Sequence, residues 1–389
     1  MTTDQKPDDA GIRPNSAADG TAPGNPDPVT RAFTFLTERA VSLHAAAVLR
    51  VGYGLLYLVF LLREFPHREE IWGPDSPWTP HLARELLSQT GWFSALTFSD
   101  RPAFFEGCYA LALLTCALFT LGWHTRALSL LFALVVTSFH GRNIYITDGG
   151  DNLIVLMAEY LTLVACGRRW SLDARRKRLR APTYRSRPRP ALARLLPAWE
   201  QAVLVRGQLS TLLHNCGMFV IAIQVCILYG CAGLYKVQGS TWRDGTALHY
   251  VLNLDLFRPW PELSQFADHH QLFIAIAGYL TVLVQVACPF ALFSRLKYVV
   301  IGLLIGMHIG IAVLLGLPVF SGAMIVADAV FLPDRFFLLL QRICLTRLRR
   351  AGADATVPRA RNGNLRPPPS PGTPGRSDVR SPVTDTTSS

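Results

Sequence analysis

The chain has 389 residues, 50% of them hydrophobic and only 17% charged, with a formal net charge of +11 and a mean hydropathy of +0.26. Its apolar residues gather in long blocks with few charges, which excludes an ordinary soluble domain and predicts an all-α, polytopic helical bundle embedded in a lipid bilayer. The positive charge is clustered, with eleven Lys/Arg in 168–194 and nine Arg in 342–389, and no recognised nucleic-acid-binding motif accompanies it, so no nucleic acid is expected as a partner.

In chain order, residues 1–30 are rich in Pro, Gly, Asp and Thr and lack the apolar core of a signal peptide. They read as a disordered tail, with an interfacial amphipathic helix at Pro28–Glu38 leading into the first span. About eight spans follow, at 43–62, 106–123, 127–147, 150–167, 214–235, 271–293, 297–315 and 318–332. They define a transmembrane domain over 31–341, with a basic cytoplasmic loop at 168–206. After Pro333, the run Arg335 to Arg342 reads as a second interfacial helix. The basic, Pro/Ser/Thr-rich segment 342–389 reads as a disordered tail. Six of the eight cysteines lie in or beside apolar segments without CxxC or zinc spacing, so they read as small hydrophobes rather than a disulfide or metal framework.

Orientation follows from the arginines. The 168–194 cluster and the C-terminal tail are separated by an even number of spans, so both fall on the cytoplasmic side, as do both termini. This is a multi-pass cell-membrane topology. The outward connections are then 63–105, 141–150, 236–270 and 316–318.

Polar groups inside or beside apolar segments carry the functional reading. In the first span, Arg50 calls for structural pairing, with Glu159 or Asp328 as candidates. The outward loop 63–105 carries Trp72, Trp78 and Trp92, which read as interfacial anchors. Spans three and four share the 41 residues Ala127–Gly167, and two crossings use about 17–20 residues each. The polar stretch from His140 to Asn152, including Arg142, Asp148 and Asp151, therefore falls partly at bilayer depth. There Asp148 or Asp151 serves as a helix N-cap or as part of a polar site.

Met218–Tyr235 is an uncharged run of 18 residues that ends at Lys236, followed by Trp242, Arg243 and Asp244. An ammonium at the hydrocarbon edge must be paired, reach the interface, or lose its proton and become a base. His249 lies in the same outward loop and reads as an exposed histidine or a ligand contact. His308, in the seventh span, reads as a cross-helix hydrogen-bonding residue or a proton carrier.

The run Ala232-Gly233-Leu234-Tyr235-Lys236-Val237-Gln238-Gly239-Ser240-Thr241-Trp242 resembles the signature of the horizontally transferred transmembrane (HTTM) domain. That domain is shared by vitamin K-dependent gamma-carboxylase and sporulation-delaying-protein-B-type membrane proteins. Leu49-Arg50-Val51-Gly52, Gly149-Gly150-Asp151 and the histidine-bearing late span with His308 fit the same domain, over about residues 35–340. The resemblance implies a compact bundle whose polar site faces outward or lumenally. It also implies a lysine, at the position of Lys236, that acts as base towards reduced vitamin K in the carboxylase. There oxygen converts the quinol to an epoxide, and the basic intermediate opens a glutamate to carbon dioxide. This chain departs in two places: Tyr235 stands where the carboxylase has a second lysine, and no large extramembrane domain follows the last span to hold a glutamate-rich substrate.

Two functional readings result. In the first, the protein is a gamma-carboxylase-like (lyase) or quinol-oxygenating membrane enzyme, with Lys236 as base and a reduced, vitamin K-like quinone as cofactor. His140 and His308 pass protons or hold the quinone oxygens, Asp151 orients Lys236, and Trp242, Arg142 and His249 complete the cofactor side. In the second, it is a non-catalytic accessory protein for the maturation, export or immunity of a secreted peptide, and Lys236 and Trp242 are an interfacial anchor pair.

Overall fold

Helices begin and stop where the sequence supplies the signals. Proline opens α1 (Pro28–Glu38), α4 (Pro80–Thr90), α5 (Pro102–Leu121), α12 (Pro261–Asp268) and α15 (Pro318–Asp328), where its missing N–H costs nothing. Gly122 closes α5 at φ 74°, donating to the Leu118 and Phe119 carbonyls from a left-handed conformation that favours glycine. This is a computed structural model, and it describes residues 27–180, 197–292 and 294–356.

The remaining helices are α2 (Leu43–Glu64), α3 (Arg68–Trp72), α6 (Thr125–Arg142), α7 (Gly149–Leu163), α8 (Leu172–Arg180), α9 (Ala198–Gln238), α10 (Ser240–Arg243), α11 (Ala247–Leu252), α13 (Gln271–Ala291), α14 (Lys297–Leu314) and α16 (Asp334–Thr356). Five apolar helical segments are long enough to cross a membrane: Leu43–Trp72, Pro102–Leu121, Ala198–Gln238, Gln271–Ala291 and Lys297–Leu314. The short Pro318–Phe331 segment is also apolar. The multi-span, all-α bundle expected from composition is present among the described residues. Helices α6 and α7 fall outside the five, because α6 carries Arg126, His140 and Arg142 and α7 has only 15 residues.

Contacts define two ends of the bundle. At one end, Arg142 donates to the Gly73 and Trp78 carbonyls and Asn143 to Ile71 O, tying the α6–α7 turn to the 63–105 connection. Gly150 lies against Phe320, where an added Cβ would stand 2.6 Å from Phe320 Cα. Gly316 meets Pro259, and Leu252, Ala267 and Ile274 pack with Leu314 and Leu315. The four connections predicted to share one side therefore do share one end. At the other end, Asn215 donates to Leu36 O and Arg39 O, His44 N–H donates to Asp334 at 3.0 Å, and Asp173 accepts from the N–H groups of His124 and Thr125.

Close approach at glycines sets the packing. Gly52 faces Val326 of α15 and Gly54 faces Thr120 of α5, so α2 is wedged between two neighbours. Helix α9 has 41 residues, about 60 Å at 1.5 Å per residue, twice the hydrocarbon thickness. Its first half extends beyond the predicted 214–235 span.

Two expectations change. Arg50 is fully buried but pairs with neither Glu159 nor Asp328: it donates to Cys166 O at 3.1 Å and Trp170 O at 2.6 Å. Backbone carbonyls in the turn between α7 and α8 accept from the guanidinium in place of a carboxylate, and hydropathy does not reveal them. Trp72 is not an interfacial anchor; it is 2% exposed among Phe60, Tyr109 and Phe139. In the stretch from His140, α6 runs through Arg142 and α7 starts at Gly149, with Asp148 as the N-cap that the sequence offers.

Residues 339–356 belong to a second unit and form the continuation of α16, with Leu339, Leu340, Ile343 and Leu345 exposed. Helix thus extends past Arg342 into the segment expected to be tail. Most of the N-terminal tail, the middle of the basic loop, and the tail beyond Thr356 lie outside the described residues.

Candidate functional site

The last turn of α9 carries Lys236 to the rim of a cleft between α9 and α13. Gly233 makes this possible. A Cβ there would lie 2.8 Å from Val286 Cγ2 and 2.9 Å from Val286 N, so only glycine lets the helices approach so closely. That approach brings buried Gln285 opposite Lys236, and Lys236 Nζ donates to Gln285 Oε1 at 3.0 Å. The tight turn at Gly239 starts α10 and brings the Trp242 ring to 5.3 Å from Nζ, a cation–π distance. Among the described residues no carboxylate pairs with Lys236. A neutral amide accepts from either form of the amine, so this pairing does not fix the lysine's charge as a carboxylate would.

The cleft has a volume of about 430 Å³ and is lined by Lys236, Trp242, Tyr279, Val282, Leu283 and Val286, among others. Tyr279 and Leu283 are exposed on the apolar flank of α13, so the cleft opens sideways. Tyr279 also fixes its floor, its hydroxyl donating to Arg243 O at 2.8 Å. Pro289 has no N–H to give to the Gln285 carbonyl one turn earlier, which loosens α13 beside the site.

A second polar centre is enclosed in the bundle. Tyr229 of α9 places its hydroxyl 3.1 Å from His308 Nε2 of α14 and 3.1 Å from Asp328 Oδ2 of α15. Tyr229 is 0% exposed, and His308 and Asp328 are each 1% exposed. His308 Nδ1 and Asp328 Oδ1 have no protein partner. Gln285 links the regions loosely, since its Nε2 approaches Met307 Sδ at 3.7 Å, one residue before His308.

The other predicted residues lie elsewhere. His140 and Asp151 line a small hollow under the 63–105 connection, with room for about 10 Å³, the size of one water. Asp151 does not orient Lys236; its Oδ2 accepts Asp148 N–H while Asp148 Oδ1 accepts Gly150 and Asp151 N–H, a reciprocal capping box. Arg142 is spent on the two loop carbonyls. His249 is exposed and bonded to Asp268 at 2.6 Å. Asn253 donates to the same carboxyl. Burial pushes the Asp268 carboxyl up, but the bonds from Asn253 and His249 and the charges of His249 and His269 outweigh it, holding the group below the usual carboxylate value of 3.8. The seven candidates thus divide among five places: Lys236 and Trp242 meet at the cleft, His140 and Asp151 share the hollow, and Arg142, His249 and His308 each lie apart.

Sequence reading missed Gln285, Tyr279, Tyr229 and the role of Asp328. A glutamine and a carboxylate in apolar segments were visible signals, but their partners lie 49 and 99 residues away.

Fold and site define a polytopic helical membrane protein with one laterally open, cationic–aromatic cleft and one enclosed polar centre. Comparison with protein-family models, with curated proteins and with solved structures finds no match.

Proposed function

We propose that the protein is an eight-crossing, HTTM-like membrane protein that takes a reduced quinone from the lipid into the Lys236 cleft, where Lys236 accepts a proton. The observation that carries this reading is the cleft itself. Its volume of about 430 Å³ suits a bicyclic ring, and its sideways opening suits entry from the bilayer by a molecule with an isoprenoid tail. Trp242 and Tyr279 offer ring faces, and Val282, Leu283 and Val286 offer apolar contact. A bound quinol supplies an acidic ring hydroxyl and, with oxygen as oxidant, an oxidisable ring.

Lys236 Nζ is the proton acceptor, held by Gln285 Oε1 on one side and the Trp242 face on the other. Gln285 keeps the amine's lone pair free, because it receives a hydrogen bond from nitrogen and gives none back. Positive-inside bias orients the Lys236 end outward and the arginine-rich end towards the cytoplasm. Counting eight crossings requires α7, about 22 Å long, to serve as a short span beside the thicker neighbours.

The test is oxygen-dependent quinone epoxide formation, read by mass spectrometry, by the full chain in lipid nanodiscs given reduced menaquinone. Wild type should form epoxide, and Lys236→Arg, which keeps the charge but not a usable base, should lose roughly 100-fold or more. Absence of epoxide from folded wild type would end the catalytic reading and favour the peptide-accessory one.

A further inference from the structure

We propose that Tyr229, His308 and Asp328 form an enclosed proton relay, in which one proton moves between Asp328 on α15 and His308 on α14 through the Tyr229 hydroxyl. This centre is distinct from the cleft and does not depend on a quinone binding there.

Hydrogen-bond bookkeeping leads to this conclusion. The Tyr229 hydroxyl has one proton and sits 3.1 Å from two acceptors. If it donates to Asp328 Oδ2, it must accept from His308 Nε2–H; if it donates to His308 Nε2, it must accept from a protonated Asp328 Oδ2. No lysine or arginine forms an ion pair with Asp328 among the described residues. A lone carboxylate in so enclosed a place is costly, so the centre holds one proton beyond the tyrosine's own. Two of the arrangements that satisfy both rules differ only by the position of shared protons. One is neutral acid with neutral imidazole; the other is carboxylate with imidazolium.

They interconvert by two short transfers. The Asp328 Oδ2–H bond breaks as that proton bonds to Tyr229 Oη, while the Tyr229 O–H bond breaks as its proton bonds to His308 Nε2. Tyrosine stays neutral throughout, and no oxidant or other reactant takes part. The outer atoms at the two ends, Asp328 Oδ1 and His308 Nδ1, are both among the buried polar atoms that have no protein partner. A relay needs such atoms at its ends, where a water can deliver or remove a proton. A purely structural hydrogen-bond clamp would gain from satisfying them.

The other ionisable groups facing the centre are Tyr53 from α2, Cys288 from α13 and Lys236 from α9. The Tyr53 hydroxyl is committed to Ala323 O at 2.9 Å. Lys236 is the charge whose state the relay would sense, which couples the two centres through space.

The test is pH-resolved difference infrared spectroscopy on the full chain in lipid nanodiscs. It follows the carboxylic-acid carbonyl band that disappears in Asp328→Asn. In His308→Gln the proton has only Asp328 to rest on, so the band should gain intensity. Tyr229→Phe keeps both titratable groups but removes the hydroxyl, so the band should move to higher wavenumber. Thermal unfolding and size-exclusion profiles identify variants that fold, and the single-atom change Tyr229→Phe serves if Asp328→Asn does not. The proposal is overturned if no Asp328-dependent band exists in either wild type or His308→Gln at any pH where the protein is folded. It is equally overturned if the band ignores both His308→Gln and Tyr229→Phe.

Discussion

The Lys236 cleft and the Tyr229–His308–Asp328 centre share helix α9 but solve opposite problems. The cleft is partly exposed and opens sideways through apolar and aromatic side chains, and its lysine is matched to a neutral amide and a ring. The inner centre admits almost no solvent, and its carboxyl and imidazole meet only through a hydroxyl. The first arrangement leaves room for a ligand and leaves the lysine's charge unfixed. The second leaves no room for a ligand, but its charge must balance internally. The difference teaches that buried polarity in this bundle is of two kinds, one shaped for a molecule and one for a proton.

The largest expected effect joins the two regions. Gly233→Leu drives a side chain into Val286 and should cost about 3 kcal/mol of stability by overpacking, while separating Lys236 from Gln285. Thermal unfolding in nanodiscs and quinone binding should both suffer; a variant that unfolds like wild type would mean that α9 and α13 are not so closely packed. Next, Tyr229→Phe should cost about 1–2 kcal/mol, the loss of a buried hydroxyl that serves two partners, yet leave quinone binding at the cleft intact. Loss of binding in that variant would merge the two regions into one site. Trp242→Leu should do the reverse, weakening quinone affinity by about fivefold, the value of a modest ring contact, without moving the unfolding temperature.

The smallest effect concerns α11 and α12, which pack on each other and on α13. Asp268 is held below the usual carboxylate value, so its bonds to His249 and Asn253 contribute fully above the unfolded-state value and are lost as pH falls through the lower folded one. Hydrogen exchange in α11 and α12 should therefore quicken on acidification below the ordinary carboxylate range, and Asp268→Asn should remove most of that pH dependence. Unchanged exchange across that range would mean that the His249–Asp268 contact does not anchor the segment.

Hydropathy made the span-length apolar helices legible, five of them among the described residues, because desolvation penalises every charge in a span alike. The local chemistry of the α6–α7 turn was legible too, since a capping box is written within four residues. What stayed hidden were pairings across the bundle. Arg50 in an apolar helix demands partners, but sequence cannot say that these are the Cys166 and Trp170 carbonyls rather than an acid. Shared depth suggested that His140, Asp151 and His308 would join Lys236. Depth fixes only one coordinate, and helix order around the bundle put the first two under the 63–105 connection instead.

The most direct measurement is photo-crosslinking of the full chain in nanodiscs with a photoreactive naphthoquinone, followed by peptide mass spectrometry with unlabelled menaquinone as competitor. Our account predicts competable labels on the cleft segments around Trp242 and Tyr279–Val286, reduced in Trp242→Leu. Labels confined to the hollow at His140 and Asp151, or none that menaquinone displaces, would contradict it.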